Sequence, residues 1–343
     1  MIANYVVDFV LDPSSSWHRE KLCNDILEQK PSHVFLNIAW EAYKFSPSML
    51  EVDDFLFQHG IPTTWVIWDI TKTDPAWQQL RCSVVFLNFI FWRSYNQIVV
   101  KKLNATNQYW NSNAEKFLFL TGKPNKPQRI RLLHKFHQQG LMPKCSHSLF
   151  MHSGMYEASR RVVQYLSDRE FADFVQQYQH NPDNIVPDMQ ETSMHYGGIP
   201  YNPDLYANSL VRVVSETNVD HRPPALTEKT YLTIVNKNPF VIAGDRYSCR
   251  YLKSLGFETF DQLFDIPTYD DISNVDARLD HVVNHVRQWL LGSFNKTQVA
   301  DMVEHNYRRF LTLGQQTKQE FENITGVDID QAVSSFDPQS NRW

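Results

Sequence analysis

Strand-sized apolar runs alternate with segments of helical spacing along most of this chain, and that alternation restricts it to one class of fold. YVVDFVLD, HVFLNIAW, TTWVIWDI and SVVFLNFI, within residues 5–90, are each bounded by polar or proline-containing segments, as buried strands are. WHREKLCNDILEQK and PSMLEVDDFLFQHG lie between them with apolar residues on one helical face. The second ends at Gly60, a C-cap ahead of Ile61-Pro62. Strand, helix, strand, helix is the pattern of a parallel sheet in an α/β domain.

The pattern then repeats. KKLNATNQYWNSNAEK, residues 101–116, is polar and Asn-rich and reads as a linker or irregular surface segment. After it come FLFLTG as a strand, PQRIRLLHKFHQQG as a helix capped by Gly140, and HSLFMHSG as a further strand candidate. Residues 181–208, rich in Pro, Tyr, Gly and Asn, read as long loops. LVRVVSE and FVIAG are strands, with LTEKTYLTIVNK a helix between them. CRYLKSLGF, ARLDHVVNHVRQWLLGSF and a long segment from Lys296 to Glu322 are helical. A length of 343 residues suits two domains. The expected organisation is an α/β domain over 1–110, a second over 111–295, and a helical tail over 296–343 that packs back on the first. Open α/β sheets bind ligands beyond the carboxyl ends of their strands, so the strand ends are where a site is sought.

Charge and cysteine usage narrow the class further. A net charge of −5 is unlike a protein whose whole surface binds nucleic acid, so any such binding needs a local basic patch. Cys23, Cys82, Cys145 and Cys249 form no CxxC and no legible disulfide framework, and read as free thiols of a reducing compartment. The start, MIANYVVDFVLD, has no basic segment or cleavage site of a secretory signal, and SVVFLNFIFW is about half the length that a membrane helix needs. The sequons at Asn104, Asn295 and Asn323 therefore read as chance matches, and the expectation is a cytoplasmic protein with no membrane partner.

Two strand ends carry chemistry. FLFLTG runs into Thr121-Gly122-Lys123-Pro124-Asn125-Lys126-Pro127-Gln128-Arg129 and then a helix. A glycine, basic residues and a helix N-terminus suit a phosphate, because free N–H groups and the helix dipole favour an anion. GxxxxGK[ST] is absent, so this is no P-loop. The plainer reading is a solvated basic face, and for Arg131 and Lys135 it is the better one. LVRVVSE puts Glu216 at the end of a strand. Thr227 is placed to cap the next helix, with Glu228 in its first turn, where an acid gains roughly 0.3–1 kcal/mol. Lys229 in that turn runs against the dipole, which points to an anionic partner such as a diphosphate or Glu216. The plainer alternative is a capping Glu228 beside a solvated Lys229.

Taken together, SET, LTEKT and NPFVIAGD resemble the donor-binding half of GT-B-fold nucleotide-sugar glycosyltransferases, most nearly the fucosyltransferase-like group. The chain is also similar to a set of phage and large-virus glycosyltransferases in TGKPNKPQR (121–129), VSET (214–217), TEKT (227–230), PF-x-IAG (239–244), LGF-x-TF (255–260) and YD-x-I (269–272). The likeness covers about Phe117 to Leu290, and the first 110 residues share only general α/β character. It implies two Rossmann-like domains facing a central cleft and a metal-independent transfer with no bound cofactor. Lys229 would bind the donor diphosphate, with Arg129 as the second cation and Lys123 its understudy beside Gly122. Glu228 would hold a hydroxyl of the ribose or sugar, and Glu216 the sugar or nucleotide. The loop NVDHRPPAL departs from the pattern by adding His221 and Arg222, which either reach phosphate or belong to a lid.

Inverting transfer also needs a general base. By analogy it comes from the first domain, where Asp69, then Glu41, then Asp8 sit at expected strand ends; an N-cap or a solvated carboxylate is the plainer reading of each. Two decoys are set aside. Asp328-Ile-Asp330 spells a DxD but follows Gly326, far from any strand. His147, His152 and His195 lack zinc spacing, although His195 in MHYGG sits where a substrate contact is conceivable. The competing functions are a non-catalytic nucleotide- or glycan-binding protein of the same fold and an unrelated nucleotide hydrolase, against which the missing P-loop counts. For the acceptor, the viral resemblance implies 5-hydroxymethyl-pyrimidine duplex DNA, reached through Lys101-Lys102 and the basic 116–144 segment. A saccharide, lipid or protein glycan is the alternative.

Overall fold

The computed structural model describes residues 5–8, 16–37, 45, 47–68, 74–87, 91, 95, 110–121, 126–149, 166–179, 195–196, 199–200, 203–217, 219, 224, 226–263 and 269–328. The chain divides into two compact units, one of residues 1–93 with 313–343, the other of residues 94–312. The first division thus falls at Arg93/Ser94, upstream of the 110/111 boundary read from the sequence. The second falls inside a single long helix rather than at its start.

The first unit holds a four-stranded parallel sheet, β1 (Tyr5–Asp8), β2 (Val34–Asn37), β3 (Thr63–Trp68) and β4 (Ser83–Leu87), in the order β1-β2-β3-β4. Helices α1 (Ser16–Gln29) and α2 (Pro47–Gln58) connect the first three strands. Strand side chains alternate between faces, so Val34, Leu36, Trp65 and Ile67 share one face. They form a core there with Leu22 and Ile26 of α1, Met49, Val52 and Leu56 of α2, and Trp77. Phe35 points the opposite way and meets Phe321 with ring centroids 5.7 Å apart. One carboxylate is buried beneath this sheet. Asp53, 1% exposed, accepts from the Trp65 indole at 2.7 Å and from the backbone N–H groups of Arg81 at 2.6 Å and Cys82 at 3.2 Å. It ties α2 to β3 and to the entry of β4. Burial, helped by Asp53, pushes the Cys82 thiol up to about 12, so this cysteine stays a thiol.

The second unit repeats the scheme with another strand order. Its sheet contains β5 (Phe117–Thr121), β6 (Cys145–Leu149), β9 (Arg212–Ser215) and β10 (Phe240–Ala243), all parallel, in the order β10-β9-β5-β6. A short antiparallel ribbon, β7 (His195–Tyr196) and β8 (Ile199–Pro200), lies between in sequence. The helices are α3 (Pro127–Gln138), α4 (Asp168–Gln179), α5 (Pro203–Ala207), α6 (Glu228–Val235), α7 (Ser248–Ser254) and α8 (Val275–Leu291). Phe117 and Phe119 pack edge-on against Phe136 of α3, and Phe240 against Phe260, which in turn meets Trp289 of α8. α9 (Lys296–Thr325) belongs to the second unit up to Thr312 and to the first from Leu313.

In strand order of sequence the second sheet reads 2-1-3-4, and the winding reverses between β5 and β9. Such a reversal sends the two connections to opposite sides and leaves a crevice at the carboxyl ends of the two strands. The register shows where the two strands part. β5 pairs with β6 through Thr121↔Leu149, and β9 with β10 through Ser215↔Ala243. Between β5 and β9 the pairs are Leu118↔Arg212 and Phe119↔Val213, so this ladder stops two residues short of either strand's end.

One quoted motif, YD-x-I, turns out to be framework. The Tyr269 hydroxyl accepts from the N–H of Ile242 on the edge strand β10 at 2.9 Å, satisfying a group that no strand pairs. Asp270, 4% exposed, accepts from the N–H groups of Cys249 and Arg250 at 2.9 Å and so caps α7. Burial raises its carboxyl above the usual range, against the pull of those two bonds. YD-x-I therefore fastens an edge strand and a helix start. His285, 2% exposed on α8, meets the Tyr269 ring edge-on at 5.1 Å, and burial lowers its pKa to about 4.

Candidate functional site

The crevice between β5 and β9 is where the sequence-predicted residues gather. Helix α3 begins beyond β5 with Lys126 as N-cap and Pro127 in its first turn. The next residue, Gln128, is 1% exposed. Its side-chain amide reaches across to β9, donating to the carbonyls of Glu216 at 2.6 Å and Thr217 at 3.1 Å. The end of β9 and the start of α3 are therefore tied together where the ladder has parted. Arg129, the next residue, is 4% exposed and interacts within the protein. Truncating a cation buried this deeply would also leave the groups it meets without their partner.

Glu216 follows β9, its backbone N–H donating to the carbonyl of Ala243 at 3.0 Å. Its side chain is fully buried. One carboxylate oxygen accepts from the Thr227 N–H at 3.0 Å and from the Thr230 hydroxyl, and the other accepts from the Thr227 hydroxyl. Its three donors all come from the chain, and the carboxylate fixes the start of α6 to the end of β9. A fully buried carboxylate needs such donors, since without them burial costs far more than it returns.

Thr227 is the N-cap of α6, as expected, with its hydroxyl accepting from the N–H of Lys229 at 3.4 Å. The Lys229 ammonium donates to that hydroxyl at 3.1 Å and to Glu228 at 2.7 Å. The Lys229 and Glu228 side chains are 14% and 23% exposed, so this pair stands half-buried at the helix start instead of lying flat in solvent. The anionic neighbour that Lys229 was expected to need is Glu228, one residue away, and not Glu216. Gly244, after β10, completes the rim. A Cβ there would lie 3.0 Å from the Ser248 hydroxyl and 3.1 Å from Ile242 Cγ2, so a side chain would press on the start of α7 and on β10, while Glu216 Cβ at 3.5 Å is in ordinary contact. Arg278 of α8, 2% exposed, donates to the carbonyls of Gly244, Ile272 and Val219, gathering three loops at this end of the sheet.

Gly122, Lys123, His221 and Arg222 fall outside the described residues, as do Asp69, Glu41, His152 and Asp330. Asp8 ends β1. His195 opens the β7–β8 ribbon. His147 is buried in β6, its ring nitrogens 3.4 Å from the Cys145 carbonyl and 3.1 Å from that of Tyr178, which suits packing and not a ligand. Asp328 pairs with Lys318 at 3.3 Å, as a surface turn would. Lys135 and Arg131 pair with Asp280 and Asp276 of α8, which accords with reading them as a basic face. Among the described residues no cluster of three His, Cys, Asp or Glu could hold a metal ion, and no helix is long and apolar enough to cross a membrane.

Sequence reasoning missed Gln128 and Arg278. Gln128 sits inside the quoted TGKPNKPQR, but attention to cations passed over the neutral residue between Pro127 and Arg129. Arg278 lies in a helix with no motif, and only its place on the buried stripe with Leu279, Val282 and Val286 marks it.

No protein-family model matches the chain, and no curated protein does. Among solved structures it is similar to a UDP-forming α,α-trehalose-phosphate synthase from Burkholderia xenovorans, at 8% identity and a TM-score of 0.43, over 89% of this chain and 78% of that one.

Proposed function

We propose that the chain is a glycosyltransferase that moves a sugar from a nucleotide-diphosphate sugar to an acceptor hydroxyl. The observation that carries this reading is the convergence at the β5/β9 crevice. Three separate stretches, the start of α3, the end of β9 and the start of α6, are tied to one another there by Gln128 and Glu216, and the last presents Lys229 and Glu228. Parallel α/β sheets bind phosphorylated ligands at such a reversal. The residues concerned are those through which the sequence resembles nucleotide-sugar transferases.

In the proposed reaction the bond between the sugar's anomeric carbon and the diphosphate oxygen breaks, and its electron pair leaves with the diphosphate. The acceptor oxygen bonds the anomeric carbon and gives up its proton. Lys229 faces the growing charge on the leaving diphosphate, and a fixed cation there lowers the barrier. Glu228 shares the ammonium and offers its second carboxylate oxygen to a ribose or sugar hydroxyl. For the base we keep Asp69, then Glu41, then Asp8. The metal-independent, cofactor-free transfer and the hydroxymethylated-DNA acceptor rest on the sequence resemblance alone, and the net charge of −5 counts against DNA.

The test is a panel of UDP-, GDP- and other nucleotide sugars, scored first by the rise in melting temperature and then by transfer. A ligand at a hundred times its dissociation constant adds about 2.7 kcal/mol to stability. A selective rise with one donor, and transfer that needs the first-unit carboxylate, supports the proposal; binding without transfer to any acceptor favours the non-catalytic reading. Transfer to hydroxymethylated duplex DNA should fall steeply with salt, since bound phosphates release counterions. Activity confined to a neutral saccharide removes the DNA acceptor.

A further inference from the structure

We infer that Glu216 is a positioning residue for Lys229, acting through the hydroxyl of Thr227. The inference rests on the proposed diphosphate site and says how that site is kept ready. A threonine hydroxyl has one proton and two lone pairs. Ionised, Glu216 can only accept, so it takes the Thr227 proton. Both lone pairs are then turned toward Lys229, where they receive the backbone N–H at 3.4 Å and the ammonium at 3.1 Å. Glu228 takes a second ammonium proton at 2.7 Å. Two of the three ammonium donors are thus spent on aiming the group, and among the described residues the third has no recipient in the chain. A long, mobile cation is held in one place, with a donor left for a ligand oxygen. The chain of bonds runs from a fully buried carboxylate, through one hydroxyl, to a side chain that is 14% exposed.

The direction of the Thr227 hydroxyl is what the charge on Glu216 sets, and this separates positioning from mere stapling. In Glu216→Gln the amide oxygen can still accept from the Thr227 N–H and the Thr230 hydroxyl, so α6 remains attached. The amide NH2 now stands where the other oxygen was and donates to Thr227. The hydroxyl must turn its own proton toward the Lys229 ammonium, which cannot accept it. Lys229 is released while the fold keeps two of the three bonds.

The experiment follows the Lys229 side chain directly, by relaxation of its ε-methylene group in ligand-free protein carrying labelled lysine, with the signal assigned through Lys229→Arg. Restricted motion is expected in the wild type and in Thr227→Ser. Motion like that of exposed lysines is expected in Glu216→Gln and Thr227→Val. In parallel, UDP and GDP are titrated by calorimetry. Glu216→Gln and Thr227→Val should weaken whichever binds by about tenfold, and Thr227→Ser should restore it to within about twofold of the wild type. Unchanged Lys229 motion and affinity in Glu216→Gln, with only a lower melting temperature, would make Glu216 a staple and overturn the inference. Should that variant fail to fold, Glu216→Asp decides: it keeps the charge but withdraws it by one methylene from Thr227, and an undisturbed Lys229 there overturns the inference equally. If neither nucleotide binds the wild type, the diphosphate reading falls while the relaxation series still decides the role of Glu216.

Discussion

The two sheets are built from the same parts, four short parallel strands each, and differ in how the chain visits them. The first is laid down in sequence order, β1-β2-β3-β4. The second reverses between β5 and β9, and there the ladder ends two residues before the strands do. Each unit also buries a well-satisfied carboxylate next to its sheet, Asp53 in the first and Glu216 in the second, and the two are used differently. Asp53 spends its bonds on the Trp65 indole and two backbone N–H groups and closes a core. Glu216 spends its bonds on a helix N-cap that in turn holds a partly exposed lysine. Asp53 serves the core alone, whereas Glu216, at the end of β9, fixes a helix start whose first turn carries a half-buried Lys229–Glu228 pair.

The sharpest way to break this comparison is to remove the scaffold acid. Asp53→Ala strands three buried donors, and should cost about 3 kcal/mol or more. Calorimetry should show that loss, while nucleotide affinity of the folded protein stays at the wild-type value because every proposed donor contact is in the second unit. A weaker nucleotide affinity would mean that Asp53 is more than scaffold.

Acid should distinguish the second unit through His285, whose pKa burial lowers to about 4. The unfolded chain, with an ordinary histidine near 6.5, binds the proton more readily than the folded one. Stability should therefore be full above about pH 6.5 and fall as pH drops toward 4, by on the order of 3 kcal/mol. His285→Phe keeps a ring against Tyr269 and should flatten that slope between pH 6.5 and 4; an unchanged slope would assign the acid sensitivity to other groups, such as the buried His134, whose pKa is also lowered by burial.

Lys229→Ala should weaken nucleotide-sugar binding by roughly 1.5–3 kcal/mol, the worth of one charge-assisted bond, with little change in melting temperature because, among the described residues, the ammonium bonds only Thr227 and Glu228 of its own helix start. Last in size is the Lys135–Asp280 pair, whose carboxylate is 60% exposed. Asp280→Ala should cost no more than about 1 kcal/mol and leave binding unchanged, which thermal denaturation and calorimetry together would check.

Much of this was legible in the sequence. The strand runs recur as strands, although β6 starts at Cys145 where HSLFMHSG suggested His147, because Cys145 already alternates inward with His147 and Leu149. The caps were readable too: Thr227 does what its place before Glu228 implies. What was not legible is partnership across the chain. Glu216 and Gln128 are 88 residues apart, and no local pattern says that an amide from one helix closes a gap beyond another strand. Nor does a glutamate at a strand end announce that its carboxylate is completely buried against the Thr227 N–H and the Thr227 and Thr230 hydroxyls. The strand order, which decides where the crevice lies, is likewise a matter of pairing between distant segments.

The central claim is that the β5/β9 reversal is a nucleotide-sugar site held by Lys229, and calorimetric titration of the wild type and Lys229→Ala with a panel of nucleotide sugars tests it most directly. The account predicts that one donor binds selectively to the wild type and at least about tenfold more weakly to the variant, both proteins being equally folded. Equal affinity of the two proteins for every donor, or no binding of any donor to the wild type, would contradict it.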